Sequence, residues 1–336
     1  MQSFTIMFTT NCNMDCTYCY EGRNKASINI SDDILQQTLL FIQRYMESYQ
    51  DEELLVYFHG GEPLLQYDKV MYAVKVLRKK FGERVLFGIT TNGTIMNDNI
   101  LRVLTKEFNF SLTVSLDGEE RSHNVNRKLK TGEGSYEKAI QTALNLLQIR
   151  KDVRIRMTVN PLNVDSFCNN VLHFLNLGFS IIAPAIDYFD HSWNQDNMNR
   201  LENQLTELKK RLKERNNDNI SVGLVDDYRQ EKIGSCSGGL TSFQINPKGE
   251  IYPCSYAVGN SKYMIGDVEN GINDEKVNWF QNINNVRNID CIGCGHEEAC
   301  LASRCKLLNL YITNNFYSPA PTVCMVENIK KKVSLN

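Results

Sequence analysis

Between Phe4 and Ile186 the chain repeats one pattern: a short apolar run, a polar or glycine-bearing loop, then a segment of helical period. The runs are Phe4 to Thr9, Leu54 to Phe58, Val85 to Thr90, Phe110 to Leu116, Val153 to Val159 and Phe179 to Ile186. Helices are expected from Ser31 to about Ser48, Lys69 to Phe81, Asn97 to Glu107, Ser135 to Gln148, Val164 to Leu177, and Asn194 to Arg215. Ile34, Leu35, Thr38, Leu39, Ile42 and Tyr45 mark the apolar face of the first. Alternating strands and helices argue for parallel βα connections, and continuous apolar runs are what buried parallel strands require. In barrels of this kind the loops after the strand C-termini build the active site. The pattern breaks near Asn216 to Asn219, beyond which glycines are frequent and long helices are not expected. We therefore divide the chain into residues 1–215, an α/β core, and 216–336, a second and irregular domain organised by metal.

Charge and hydropathy exclude several classes. The 37 Lys and Arg balance 39 Asp and Glu, giving −2, so there is no basic field for nucleic acid or an anionic membrane. No apolar run reaches the roughly 18 residues that span a bilayer. Met1 to Thr10 lacks the basic start and small-residue cleavage site of an export signal, so a cytoplasmic location is expected. In that compartment 11 cysteines point to metal rather than disulfides.

The loop after the first strand carries Cys12, Cys16 and Cys19, spaced C-x₃-C-x₂-C. Three thiolates hold three corners of a four-iron cube and leave one iron open. Zinc is the alternative, but it wants a fourth ligand, and neither Asp15 nor Glu21 completes a usual structural set. Past residue 235 come Cys236, Cys254, Cys291, Cys294, Cys300, Cys305 and Cys324. They read C-x₁₂-G-x₄-C, then C-x₂-C-x₅-C-x₄-C, then C, with Gly249 as the glycine. Structural zinc is again the alternative to iron.

The first loop, with Tyr18 before its last cysteine, resembles the radical S-adenosylmethionine (AdoMet) superfamily. Gly60-Gly61-Glu62 at the end of the second strand resembles that family's AdoMet-amino motif, and a carboxylate is the natural partner of an ammonium. Taken alone, Gly60-Gly61 would be an ordinary turn. Thr90 to Gly93 matches a frequent family motif, and Ser115 its serine motif after the fourth strand. Arg127, twelve residues on, matches an arginine that pairs with the AdoMet carboxylate, a role suited to a guanidinium. Tyr18 occupies the place of a residue that packs on the adenine. The resemblance implies a partial (β/α)6 TIM-like barrel, a [4Fe-4S] cluster and AdoMet.

The later cysteines are similar to the SPASM extension of peptide-modifying radical AdoMet enzymes. It implies one auxiliary cluster on Cys291, Cys294, Cys300 and Cys324, and another on Cys236, Cys254 and Cys305. The family has three residues, not four, before the cysteine that Cys305 matches. Implied partners are a cysteine-containing precursor peptide, a flavodoxin- or ferredoxin-type electron donor and a separate leader-binding protein. The expected reaction is thioether or related crosslink formation at cysteine. The rival is the anaerobic sulfatase-maturating enzyme, which makes formylglycine; there an aspartate base follows the G-x₄-C cysteine, and here Ser255 does. An electron carrier without AdoMet turnover would have no use for Glu62. Cys168 reads as a buried helix thiol, and His123, His173, His191 and His296 receive no role.

Overall fold

The computed structural model describes residues 1–22, 26–215, 219–226 and 234–335. The expected boundary at Asn216 to Asn219 falls largely outside them, since 216–218 are not described. The chain runs β1 (Gln2–Met7), α1 (Asp32–Tyr45), β2 (Leu54–His59), α2 (Tyr67–Phe81), β3 (Val85–Thr91), α3 (Asp98–Glu107), β4 (Ser111–Ser115), α4 (Glu120–Asn126), α5 (Tyr136–Ile149), β5 (Arg154–Val159), α6 (Phe167–Asn176), β6 (Ile181–Ile186) and α7 (Gln195–Arg215). The expected strands and helices form within a few residues of their sequence bounds, and among these elements of residues 1–215 the sequence missed only the short α4. Ser31 caps α1 by accepting the Ile34 N–H at 3.1 Å, and Asn97 caps α3 through Ile100 at 2.9 Å.

Beyond these come β7 (Ser221–Val222), β8 (Ser242–Ile245), β9 (Glu250–Tyr252), β10 (Gly266–Asp267), β11 (Gly271–Ile272), α8 (Asp274–Asn285), α9 (Leu301–Arg304), α10 (Lys306–Thr313) and α11 (Pro321–Leu335). Helix is therefore more plentiful here than the sequence suggested; α8 and α11 each run three turns or more. In α11, Val323, Val326, Ile329 and Val333 recur at helical spacing, a period present in the sequence. Among the described residues no helix is long and apolar enough to cross a membrane.

Contacts group the chain into two compact units, each discontinuous in sequence. The first is residues 1–13, 21–113 and 236–283. Within it the strand order is β11-β10-β9-β8-β1-β2-β3. β1 runs parallel to both β2 and β8, with Phe4 opposite Val56 on one side and Phe243 on the other. β8 to β11 continue antiparallel. Phe4 stacks on Phe243 at 5.1 Å, and Phe58 on Phe87 at 5.6 Å, all fully buried. Burying rings of this size supplies much of a core's transfer free energy, about 2–3 kcal/mol each.

The second unit is residues 14–20, 114–235 and 284–336. β5, β6 and β7 are parallel neighbours, and the Leu116 N–H after β4 joins the Arg156 carbonyl at 3.0 Å. α7 buries Met198, Leu201, Leu205 and Leu208, a helical stripe. α11 buries Val323, Val326, Ile329 and Val333 at similar spacing. Lys209 of α7 donates to the Val333 and Ser334 carbonyls at 2.7 and 2.8 Å, closing the last turn of α11.

Candidate functional site

In the first unit the end of β2 lies against the segment leading to Cys12. The Gly61 N–H donates to the Thr9 carbonyl at 2.9 Å, and the Glu62 N–H to the Asn11 carbonyl at 2.8 Å. Gly60 has φ +135°, and a Cβ there would stand 2.3 Å from the Thr9 oxygen. One on Gly61 would stand 2.2 Å from the Asn11 oxygen. In the fold these glycines make room for the chain's own cysteine loop.

Glu62 is 1% exposed. Its carboxylate accepts from the Leu64 N–H at 3.2 Å, the Thr91 hydroxyl at 2.8 Å and the Asn92 N–H at 2.7 Å. Burial outweighs these donors and pushes its acid pKa up to about 7. Asn92 also sends its side-chain N–H₂ to Asn13 at 2.8 Å and toward the Cys12 sulfur at 3.7 Å. The Thr-Thr-Asn-Gly motif thus ties the Glu62 carboxylate to Cys12. Gly249 sits at φ +81° in the β8–β9 turn, a left-handed position that glycine adopts freely. That turn returns the chain through β9 to Cys254. Gly238, two residues after Cys236, packs so closely on the Pro253 carbonyl that a Cβ would stand 2.7 Å from it, so the Cys236 and Cys254 segments run side by side.

In the second unit the loop carrying Cys16 and Cys19 is seated on the end of α4. Asp15 and Thr17 donate their N–H groups to the Lys128 and Asn126 carbonyls at 2.8 and 3.0 Å. The Thr17 hydroxyl adds a bond to the Asn126 side chain at 2.6 Å. Tyr18 donates its hydroxyl to Asp117, and the Arg127 guanidinium lies 5.2 Å over its ring. Asp117 also pairs with Arg127 at 3.0 Å and accepts the Thr158 N–H at 2.8 Å. Burial holds the Tyr18 hydroxyl well above the usual phenol range, with Arg127 opposing and Asp117 adding.

Ser115, the last residue of β4, is buried. Asp117, two residues on, is the member of that motif gripping both Tyr18 and Arg127. From sequence Asp117 is a member of the Ser115 to Gly118 motif, with Asp117-Gly118 also fitting an ordinary turn, and carries no role of its own; the available signal was an acid just beyond a parallel strand's C-terminus. The sequence likewise gives His123 no role. His123 is buried; its Nδ1 accepts the Asp117 N–H at 3.3 Å, leaving Nε2–H for the Ser135 hydroxyl at 2.8 Å, which donates to the Arg127 carbonyl at 2.8 Å. Burial and Arg127 lower its pKa to about 3, so the ring stays neutral. His173 contacts the Tyr136 hydroxyl at 2.8 Å, and Cys168 is a buried thiol on α6.

The same unit holds Cys291, Cys294, Cys300, Cys305 and Cys324. The Cys324 thiol, on α11, is pushed up to about 11, first by burial and then by Cys300, Cys291 and Cys294. These four thiols therefore share one electrostatic neighbourhood. Cys305 lies between α9 and α10. Among the described residues no three His, Cys, Asp or Glu side chains are drawn in to the spacing of ligands on a single ion. A multi-iron cluster fits this donor set on other grounds. Cys300, Cys291 and Cys294 each act electrostatically on the Cys324 thiol, and within the field of Cys291 Lys306 is a buried ammonium for which no carboxylate among the described residues forms an ion pair. Thiolate-bound iron would supply the missing negative charge.

Comparison with known proteins places this geometry. The profile of the Radical SAM superfamily matches residues 6–175, half of the chain. A cysteine-type anaerobic sulfatase-maturating enzyme of Clostridium novyi (strain NT) is 27% identical over 316 residues, covering 87% of this chain and 82% of its own. Native anSMEcpe with bound AdoMet and Cp18Cys peptide superposes with TM-score 0.80 at 18% identity, over 99% of this chain and 96% of that one. Streptococcus suis SuiB bound to precursor peptide SuiA superposes with TM-score 0.67 at 16% identity, over 96% and 75%. At these identities the structures show the fold, which is the partial α/β barrel expected from the sequence. The chain belongs to the radical SAM superfamily and is an enzyme of that family, working with a [4Fe-4S] cluster and AdoMet.

Proposed function

We propose that this enzyme modifies a ribosomally made peptide, joining a cysteine sulfur to a carbon as a thioether or related crosslink. Residues 1–215 form the radical core in this reading, and 216–336 the auxiliary module. Cys12, Cys16 and Cys19 hold the first cluster. Glu62, with the backbone of Gly60 and Gly61, meets the AdoMet ammonium. Arg127 meets its carboxylate, Tyr18 its adenine, and Ser115 is a further AdoMet contact in this assignment. Bound cluster and AdoMet supply one-electron cleavage to a radical that abstracts hydrogen.

The observation that carries the reading is the neighbourhood of Cys291, Cys294, Cys300 and Cys324. Replacing a C–H and an S–H by a C–S bond removes two electrons and two protons. One hydrogen atom leaves with the abstracting radical, so the second electron needs an acceptor. A cluster held by those four thiols would supply one, Cys236, Cys254 and Cys305 would hold a second, and a flavodoxin- or ferredoxin-type protein would exchange electrons with the enzyme. The peptide-bound structures of anSMEcpe and SuiB support a peptide substrate.

One observation favours a second reading, conversion of a protein cysteine to formylglycine: the likeness to the Clostridium novyi maturase. Against it, Ser255 follows Cys254 and stands exposed at the start of a single 3₁₀ turn. A serine hydroxyl is a poor base. Mass spectrometry of cysteine peptides after anaerobic turnover separates the two. A product lighter by two hydrogens with its sulfur retained supports the crosslink; loss of the sulfur overturns it in favour of formylglycine. Cys236→Ala is expected to spare AdoMet cleavage and abolish peptide modification.

A further inference from the structure

Lys306, the first residue of α10, is 2% exposed. A buried lysine ordinarily needs an anion, because an isolated charge in a protein interior is costly. Its ammonium instead donates to two neutral oxygens, the Asn288 side-chain carbonyl and the Ser303 backbone carbonyl, the latter at 2.9 Å. The Tyr317 ring lies 5.8 Å away. Glu297, the carboxylate within its field, is engaged by Arg287. Asn288, itself 1% exposed, turns its amide the other way, to the Ala302 carbonyl at 3.0 Å and the Cys291 sulfur at 3.6 Å. A relay thus runs from ammonium through amide to sulfur, and Cys305 adjoins the lysine in the chain.

We infer that Lys306 and Asn288 set the reduction potential of the cluster held by Cys291, Cys294, Cys300 and Cys324. This rests on the proposed auxiliary cluster. Reduction adds one electron to an already anionic thiolate-bound centre. A fixed buried cation, and an N–H polarised by it and aimed at a ligand sulfur, stabilise the reduced form more than the oxidised one. Lys306 is a positioning and charge-setting residue, with no part in bond making.

The test is an EPR-monitored redox titration of the full chain, anaerobically purified and reconstituted. The signal to follow is the one lost in Cys291→Ala. Lys306→Met keeps the stem and removes the charge; its midpoint is expected to fall by at least the equivalent of tenfold, about 59 mV for one electron. Lys306→Arg restores it, and Asn288→Leu shifts it the same way, with iron content as in the parent. An unchanged midpoint in both Lys306→Met and Asn288→Leu overturns the inference. A full set of signals in Cys291→Ala overturns instead the cluster on which it rests.

Discussion

Glu62 sets two forces against each other. Three donors favour its carboxylate, burial favours its acid, and burial wins by enough to bring the pKa to about 7. An AdoMet ammonium needs the charged form. Affinity should therefore be full above pH 7 and fall as pH drops below it, by up to about tenfold per unit. For the AdoMet-free chain the sign reverses: a raised acid pKa favours the folded state below the unfolded value, and that contribution is lost as pH rises through about 7. Anaerobic AdoMet titration from pH 6 to 8 checks this. Glu62→Gln should bind weakly and show a flat profile with iron content intact; parental affinity in that variant would remove Glu62 from the AdoMet site. Gly61 makes a different prediction. A Cβ 2.2 Å from the Asn11 oxygen forces the strand end off the cysteine loop. Gly61→Ala should cost about 2 kcal/mol and lower the melting temperature along with AdoMet affinity, as thermal unfolding would show.

At the scale of elements, the cysteines ride on structure that owes its place to apolar packing. Cys324 sits in the first turns of α11, whose Val323, Val326, Ile329 and Val333 are buried and whose end is closed by Lys209. Cys324→Ala should therefore leave the helix docked while about four irons per chain are lost. Iron analysis beside hydrogen exchange over residues 321–335 checks both halves; exchange rising to the level of an unfolded segment would mean that metal holds α11 in place. β8 shows the limit of reading elements from sequence. Ser242 to Ile245 carries only two apolar residues, too few for a period, yet it lies parallel to β1 because Phe243 completes the stack on Phe4.

For the molecule as a whole, the number of clusters decides which chemistry is open. Anaerobically reconstituted protein should carry about 12 irons with matching sulfide, as three four-iron clusters require. About four irons with zinc would leave the radical core and take away the electron acceptor of the crosslinking reaction. The two compact units do not follow the sequence order; each collects segments far apart in the chain. Cysteine spacing reads the first motif well because Cys12 to Cys19 spans eight residues, but it says nothing about which distant segment a motif is packed upon.

The sequence by itself determined the α/β alternation, the cysteine sets, the Gly-Gly-Glu motif and the candidate AdoMet residues. Each is a local pattern, a period or a spacing, carried by side chains that follow one another. Only the tertiary structure decided that Gly60 and Gly61 face Thr9 to Asn11. Only it made Asp117 rather than Ser115 the grip on Tyr18 and Arg127, left His123 neutral between Asp117 and Ser135, and buried Lys306 behind Asn288. These depend on contacts between residues brought together by packing. Burial and hydrogen-bond partners, which fix the state of a charged group, are properties of the folded interior.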